Sequence, residues 1–104
     1  MMSLESYPVR KEQIIAQKAS DEFLLFNMHD GNYYSLNEVG SRIWELCDGD
    51  HSVEQLVQTL TREYDAPSES VAKDVMDLLE EFQNGKLIVE AVRNKPLAGS
   101  GSVR

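Results

Sequence analysis

The spacing of apolar residues changes near residue 37, and this change limits the folds that the chain can adopt. Before that point, short apolar runs predict strands over residues 14–19, 22–28 and 33–36. The Asp30-Gly31 pair is a hairpin-turn signal, because glycine reaches positive φ without steric strain. The first part of the chain therefore predicts a small antiparallel sheet of about three strands.

Three helices are predicted after the change of period. Asn37 is expected to cap the first helix, Ser52 and Gln55 form a capping-box pattern for the second, and Ser68 is expected to cap the third. Gly85 is expected to end the third helix in a left-handed conformation. The residues expected to be buried are Val39, Ile43, Leu46 and Cys47 in the first helix, Val53, Leu56, Val57, Leu60 and Tyr64 in the second, and Val71, Val75, Leu78, Leu79 and Phe82 in the third.

This order of elements predicts an α+β fold in which the helices cover one face of the sheet. Three helices followed by a short strand over residues 87–92 describe a winged helix-turn-helix. We expect one domain over residues 14–92, a partly flexible segment over residues 1–13, and a flexible tail over residues 93–104, where no periodicity is found.

Composition argues against a membrane or an extracellular setting. The longest apolar runs are a few residues, such as residues 23–26, whereas a membrane-spanning helix needs about 20. The N-terminus has no secretory signal, and Cys47 is the only cysteine, so no internal disulfide is possible. We expect a cytoplasmic protein with no membrane partner.

The sequence offers few residues for catalysis or metal binding. Cys47 lies on the apolar stripe of the first helix and is expected to be a buried hydrophobe. His29 and His51 lie in turn-like sequence without a second ligand at metal-binding spacing. The acidic residues of the third helix occupy its polar side, where charges usually form a solvated face. We therefore predict no catalytic residue, no metal and no cofactor.

A winged helix-turn-helix raises the alternative of DNA binding, which the charge disfavours. The chain has eighteen acidic and ten basic residues, a net charge of -8. Between residues 68 and 83 the third helix has one lysine, Lys73, against five acidic residues. Repulsion from the phosphates should dominate, so nucleic acid is not expected as a partner.

An exposed strand edge remains as a candidate binding surface. A sheet of few strands leaves backbone N–H and C=O groups unpaired, and an extended peptide can pair with them as an added strand. The tails of the chain or a dimer partner can also cover such an edge. The residues alone leave these alternatives open, with the chain either a monomer or a weak homodimer.

Several motifs also resemble the signature of PqqD-like proteins, over residues 23–88. The matching residues are Leu24-Leu25-Phe26-Asn27, Gly31-Asn32-Tyr33-Tyr34-Ser35-Leu36-Asn37-Glu38, Gly40, Ile43-Trp44, Asp48-Gly49, Ser52-Val53-Glu54-Gln55-Leu56, Tyr64, Asp74-Val75, Leu78-Leu79 and Gly85-Lys86-Leu87. The resemblance implies a non-catalytic winged helix-turn-helix that binds the leader segment of a ribosomally made precursor peptide. It also implies presentation of that peptide to a modifying enzyme such as a radical S-adenosylmethionine protein, a protease or a cyclase.

The resemblance also implies where the leader lies. In this family the leader forms an extra antiparallel strand beside the third strand, in a groove walled by the third helix. The implied peptide-binding residues are Tyr33, Tyr34, Ser35 and Leu36 on the strand and Val71, Asp74, Val75 and Leu78 on the helix. Leu36 and Trp44 are expected to be core residues as well. The pathway can be of the pyrroloquinoline quinone type or the lasso-peptide type, and the alternative function is a scaffold or regulatory protein acting through protein contacts.

The charge of the third helix gives a first prediction. At about 0.15 M salt the purified protein should not shift duplex DNA in a gel, because its third helix repels the phosphates. A salt-sensitive and sequence-selective shift would contradict this expectation and favour a DNA-reading role.

Overall fold

Residues 2–91 are described in a computed structural model, and they form five strands and three helices. The elements are β1 (Pro8–Arg10), β2 (Ile14–Ala19), β3 (Glu22–Asn27), β4 (Tyr33–Leu36), α1 (Glu38–Leu46), α2 (Val53–Tyr64), α3 (Ser68–Asn84) and β5 (Ile88–Glu90). The predicted tail over residues 93–104 and the end of the predicted closing strand lie outside the described residues. In the described part of the chain, no helix is long and apolar enough to cross a membrane.

Strands β2, β3 and β4 form one antiparallel sheet in that order. Gly31, in the loop between β3 and β4, has a φ of 76°, as the hairpin signal predicts. The α+β arrangement of a three-stranded antiparallel sheet and three helices is therefore confirmed. On the outer face of this sheet, Ile15, Phe26 and Tyr33 are cross-strand neighbours in one row, and the rings of Phe26 and Tyr33 are 4.8 Å apart.

A second, two-stranded sheet pairs β1 with β5 and was not predicted. Strand β1 has three residues and begins with a proline, so it is too short to show a period, and its partner lies about 80 residues away in the sequence. The Arg10 guanidinium donates hydrogen bonds to the carbonyls of Trp44 and Glu45 at 2.9 and 2.8 Å, which stabilises the end of α1. The segment predicted to be partly flexible also buries Met2 and Ser6.

Two of the predicted N-caps are confirmed and one is wrong. The Asn37 side chain accepts a hydrogen bond from the Gly40 N–H at 2.8 Å, and Ser52 forms the predicted capping box of α2. At α3 the cap position is Pro67, whose φ of -61° and ψ of 134° are extended, and Ser68 is the first helical residue. A cap at Ser68 predicts that the first helical residue is residue 69, and α3 thus begins one residue earlier than predicted.

The predicted left-handed end of α3 is also wrong by one residue. Gly85 has a φ of -81° and a ψ of 0°, and its N–H continues the helical bonding by donating to the Glu81 carbonyl at 2.9 Å. The chain reverses at Lys86, whose φ is 59°. A glycine is needed at position 85 for space, because an added Cβ would lie 2.9 Å from the Tyr34 hydroxyl.

The core lies between the helices and the inner face of the sheet. Its fully buried large side chains include Leu25, Ile43, Leu56, Leu60, Leu79 and Leu87. Leu36 and Trp44 are buried as expected, and the Trp44 ring meets Phe82 edge-on at 5.7 Å. Val39 was predicted to be buried but is 40% exposed, because the first turn of α1 continues directly from the edge strand β4.

Cys47 is fully buried, as predicted for a packing residue. Burial in the core raises the pKa of its thiol to about 12, so the reactive thiolate is scarce near neutral pH. The side chain therefore acts as a small hydrophobe at the end of α1.

The Asn27 side chain is a polar group inside this core. It is fully buried, its amide N–H donates to the Gly85 carbonyl at 3.1 Å, and its amide oxygen accepts from the His29 N–H at 2.9 Å. The two bonds join the hairpin after β3 to the end of α3. Buried polar groups are stable only when bonded in this way.

Replacing Asn27 with alanine should therefore lower the free energy of unfolding by about 1 to 3 kcal/mol, since the Gly85 carbonyl and the His29 N–H lose their partner. The matched control is Asn32→Ala in the exposed part of the same hairpin, which should change stability by about 0.5 kcal/mol or less. Urea unfolding followed by circular dichroism measures both, and equal losses in the two variants would contradict the structural role of Asn27.

The burial of Cys47 gives a third prediction. Its thiol should react with dithionitrobenzoate about 100-fold more slowly in the native protein than in guanidinium chloride, because both access and ionisation are suppressed. Absorbance of the released thiolate measures the rate. Rapid reaction in the native state would show that Cys47 is accessible, and Cys47 would again be a candidate nucleophile.

Candidate functional site

Strand β4 is an edge strand with one unpaired side. It pairs with β3 on one side, and no strand among residues 2–91 pairs with the other. Unpaired backbone groups on such an edge can accept an additional strand. The sheet has a second edge at β2, where Lys18 is ion-paired with Glu45 of α1.

The hydrogen-bond pattern shows which residues of β4 face this unpaired side. The Asn27 N–H donates to the Asn32 carbonyl at 2.9 Å, so this cross-strand pair is a hydrogen-bonded one. Antiparallel pairs alternate between bonded and non-bonded. The register therefore turns the backbone groups of Tyr34 towards β3 and those of Tyr33 and Ser35 outwards.

A groove of about 440 Å³ lies between the end of β4, the start of α1 and one face of α3. Apolar side chains form its floor, and carboxylates form its α3 wall. The residues that line it are Ser35, Leu36, Asn37, Val39, Gly40, Ile43, Asp74, Asp77, Leu78 and Glu81. An extended peptide paired with β4 would lie along this groove.

Two close approaches set the position of α3 beside β4. Near the end of α3, the ring of Tyr34 lies against Gly85, within 3.1 Å of where a Cβ would stand. Nearer its middle, Leu78 is 3.5 Å from the corresponding position on Gly40. Tyr34 of β4 therefore contacts the end of α3, and Gly40 of α1 contacts its middle, so these three elements enclose the groove.

The structure brings four of the eight predicted peptide-binding residues together in the groove: Ser35, Leu36, Asp74 and Leu78. The other four lie around it. Tyr33 is 67% exposed on the outer face of the sheet, and Tyr34 packs against Gly85. Val71 and Val75 are buried in the core, with Val75 only 1% exposed, so they pack α3 against the core and do not line the groove.

Sequence reasoning missed six lining residues: Asn37, Val39, Gly40, Ile43, Asp77 and Glu81. The helical period assigned Val39 to the core, although a helix that begins one residue after an edge strand leaves its first turn beside that edge. The spacing of Asp74, Asp77, Leu78 and Glu81 on one helical face was available in the sequence. Sequence reasoning predicts a solvated position for Asp77 and Glu81, because the helix alone does not show what this face borders.

The lining of the groove is negatively charged. No Lys or Arg is among its lining residues, and Asp77 is paired with Lys73 at 3.1 Å on the exposed side of α3. Within the described residues, Asp74 and Glu81 have no ion-pair partner. The wall therefore presents two uncompensated carboxylates and one that is partly compensated.

A second, smaller cavity of about 180 Å³ is lined in part by ion-paired side chains. Arg42 donates to both carboxylate oxygens of Glu63 at 2.9 and 2.7 Å, and Lys18 donates to Glu45 at 3.0 Å. The hydrogen bond from Arg42 lowers the pKa of Glu63, so this carboxylate is a poor base near neutral pH. The cluster joins β2, α1 and α2, and Asp21 and Glu38 line the same cavity without an ion-pair partner among residues 2–91.

One of the two histidines has a side-chain partner among the described residues. His51 Nδ1 lies 3.0 Å from both carboxylate oxygens of Asp48, whereas the His29 hydrogen bond to Asn27 is made by its backbone N–H. Among residues 2–91, no three His, Cys, Asp or Glu side chains come together in a way that would hold a metal ion. The groove beside β4 is therefore the best candidate site in this part of the chain.

Comparisons with known proteins point to the same region. The family model described as coenzyme PQQ synthesis protein D (PqqD) matches residues 22–88. A PqqA binding protein of Methylococcus capsulatus is 40% identical over 57 residues, which is 55% of this chain and 59% of the relative. The match thus spans less than two thirds of that relative's length.

Two solved structures share the fold. The structure of TbiB1 in complex with the TbiA(beta) leader peptide has a TM-score of 0.74 and 27% identity, and the match covers 82% of this chain and 99% of TbiB1. A lasso peptide synthetase B1 complexed with its leader peptide has a TM-score of 0.72 and 19% identity, covering 80% and 98% of the two chains. The second likeness concerns the fold alone. The family match includes β3, β4 and all three helices, and the chain belongs to the PqqD family.

Proposed function

We propose that this protein binds the leader segment of a ribosomally synthesised precursor peptide and presents it to modifying enzymes. The observation that carries the proposal is the unpaired edge of β4 beside the groove. The leader would add an antiparallel strand to this edge, pairing with the outward backbone groups of Tyr33 and Ser35. Its alternate side chains would enter the groove over Leu36 and Leu78.

The proposed mode of binding divides affinity and selectivity between backbone and side chains. Main-chain bonds hold an extended peptide regardless of its sequence. Apolar side chains buried on the groove floor contribute about 25 cal/mol per Å² of apolar surface. We expect a Kd between micromolar and submicromolar, about -8 to -9 kcal/mol. Ordering a disordered leader offsets part of the contact energy, so the complex can release the peptide.

The relatives support this proposal by what they bind. One relative is a PqqA-binding protein, and both matching structures contain a leader peptide. We extend leader binding to this chain because the family match includes β4 and α3. No residue selects between a pyrroloquinoline quinone-like and a lasso-peptide-like pathway.

The proposal includes a non-catalytic role in the cytoplasm. The chemistry would belong to a partner such as a radical S-adenosylmethionine protein, a protease or a cyclase, since Cys47 is buried and the charged cluster around Arg42 is paired. We further propose that the three helices and the β1–β5 pair form a winged helix-turn-helix, as a monomer or a weak homodimer.

A scaffold or regulatory role through protein contacts is the second candidate function. The observation that favours it is a group of large apolar side chains on the outer face of the sheet, away from the groove. Its exposed members are Ile15, Leu24, Met28 and Tyr33. Such a patch can contact another protein. A protein contact at this patch would use side chains of the outer face and not the unpaired backbone groups of β4, which separates the two candidates.

The test of leader binding uses the backbone of Ser35. Ser35→Pro removes an outward N–H and leaves the bonds of β4 to β3 intact, so the variant should fold and bind the leader at least about tenfold more weakly. Ser35→Ala is the matched control, because it removes the side chain and keeps the N–H. Its affinity should stay within about twofold.

The measurement is calorimetric titration of the synthetic leader of the precursor encoded beside the gene, with circular dichroism to verify folding. Equal affinity of the folded proline variant and the alanine variant would place the peptide away from β4. If the wild type did not bind the leader, the proposed function would be rejected.

A further inference from the structure

We propose that the groove selects leader peptides that carry a lysine or arginine on the same side of the strand as the buried apolar residue. This inference rests on the proposed function and specifies the class of peptide. It is carried by the placement of Asp74, Asp77 and Glu81 along the α3 wall, above an apolar floor.

The three carboxylates lie on one face of α3, separated by three and four residues, with Leu78 between them. Asp74 and Glu81 have no ion-pair partner among residues 2–91, while Lys73 on the solvent side of α3 neutralises part of the charge of Asp77. No basic side chain lines the groove. An acidic peptide side chain would be repelled here, and a basic one would find an unpaired partner.

Carboxylates on a fully solvated helix attract cations only weakly, because water and salt screen them. The wall of this groove differs because the floor beside it is apolar, with Leu36, Val39 and Ile43 opposite the acidic face. A bound strand would displace water from the floor, and charge pairs next to a dehydrated surface are less screened than exposed ones. Because of the apolar floor, the attraction between the wall carboxylates and a basic side chain becomes strong enough to select basic peptides.

The geometry of a strand fixes the expected spacing. Side chains of a strand alternate between its two faces, so residues two or four positions apart enter the groove together. The aliphatic part of a lysine or arginine can lie along the apolar floor while its charge reaches a carboxylate. We therefore expect Lys or Arg two or four positions from a Leu, Ile, Val or Phe.

The proposal is tested with a displayed library of random dodecapeptides and three baits. The first is the wild type. The second is the Asp74→Asn, Asp77→Asn, Glu81→Gln variant, which keeps the shape of the wall and removes its charge. The third is the Glu54→Gln, Glu69→Gln, Glu80→Gln variant, which removes the same charge from exposed positions outside the groove. Circular dichroism verifies that all three fold.

The wild type and the third bait should both enrich peptides with a basic residue at the stated spacing from an apolar one. The second bait should keep the apolar preference and lose the basic one. Peptides selected on the wild type should bind the second bait about three- to fivefold more weakly and the third within about twofold. Raising the salt concentration should weaken their binding to the wild type more than to the second bait.

Enrichment without a basic preference, or an equal loss on the second and third baits, would overturn the proposed selectivity while leaving peptide binding in place. A Ser35→Pro bait distinguishes failure of the basic preference from failure of the groove function. It should lose the selected peptides if they pair with β4. No enrichment on the wild type, or undiminished binding to the proline bait, would overturn the proposed groove function together with its selectivity.

Discussion

The buried amide of Asn27 is the interaction on which the shape of the groove depends. It bonds the hairpin before β4 to the carbonyl of Gly85, at the end of α3. An amide of this kind holds its position strongly, because leaving either partner unbonded inside the core is unfavourable. Tyr34 packs against Gly85 at the same place. The end of the helix and the start of the edge strand are therefore fixed relative to each other before any ligand arrives.

A groove with fixed walls has consequences for the energetics of the proposed complex. The protein loses little conformational freedom on binding, so most of the ordering falls on the peptide. The short connection from β4 through Asn37 into α1 adds to this rigidity, since the Asn37 side chain caps the helix at 2.8 Å. The backbone of β4 offers general affinity, and the side chains of α1 and α3 offer discrimination. These two contributions come from different elements and can change independently.

Much of the fold could be predicted from the sequence because its signals are local. The capping box at Ser52 and the glycine turn at Gly31 depend only on neighbouring residues, and both have the predicted conformation. Strand β1 was missed because its identity depends on pairing with β5 at the far end of the chain. Val39 was misassigned because helical period shows which residues share a face but not what that face meets.

The candidate site was only half predictable for the same reason. The resemblance to the PqqD family identified β4 and α3, and the structure places Ser35, Leu36, Asp74 and Leu78 in the groove. Val75 shares a helical face with the apolar stripe and points into the core, whereas Glu81 lies one turn beyond Asp77 and borders the groove. Which side of the helix lines the groove follows from tertiary packing, which includes the contact of Leu78 with Gly40 at the start of α1.

The row formed by Ile15, Phe26 and Tyr33 extends across all three strands and ends at the unpaired edge. Any strand added to β4 lengthens this row by one side chain, because residues paired across strands share a face. Pairing of a leader with β4 would thus alter the surface on the opposite side of the sheet. Occupied and empty forms would then present different outer faces, and a protein that contacts the outer face could distinguish them without entering the groove.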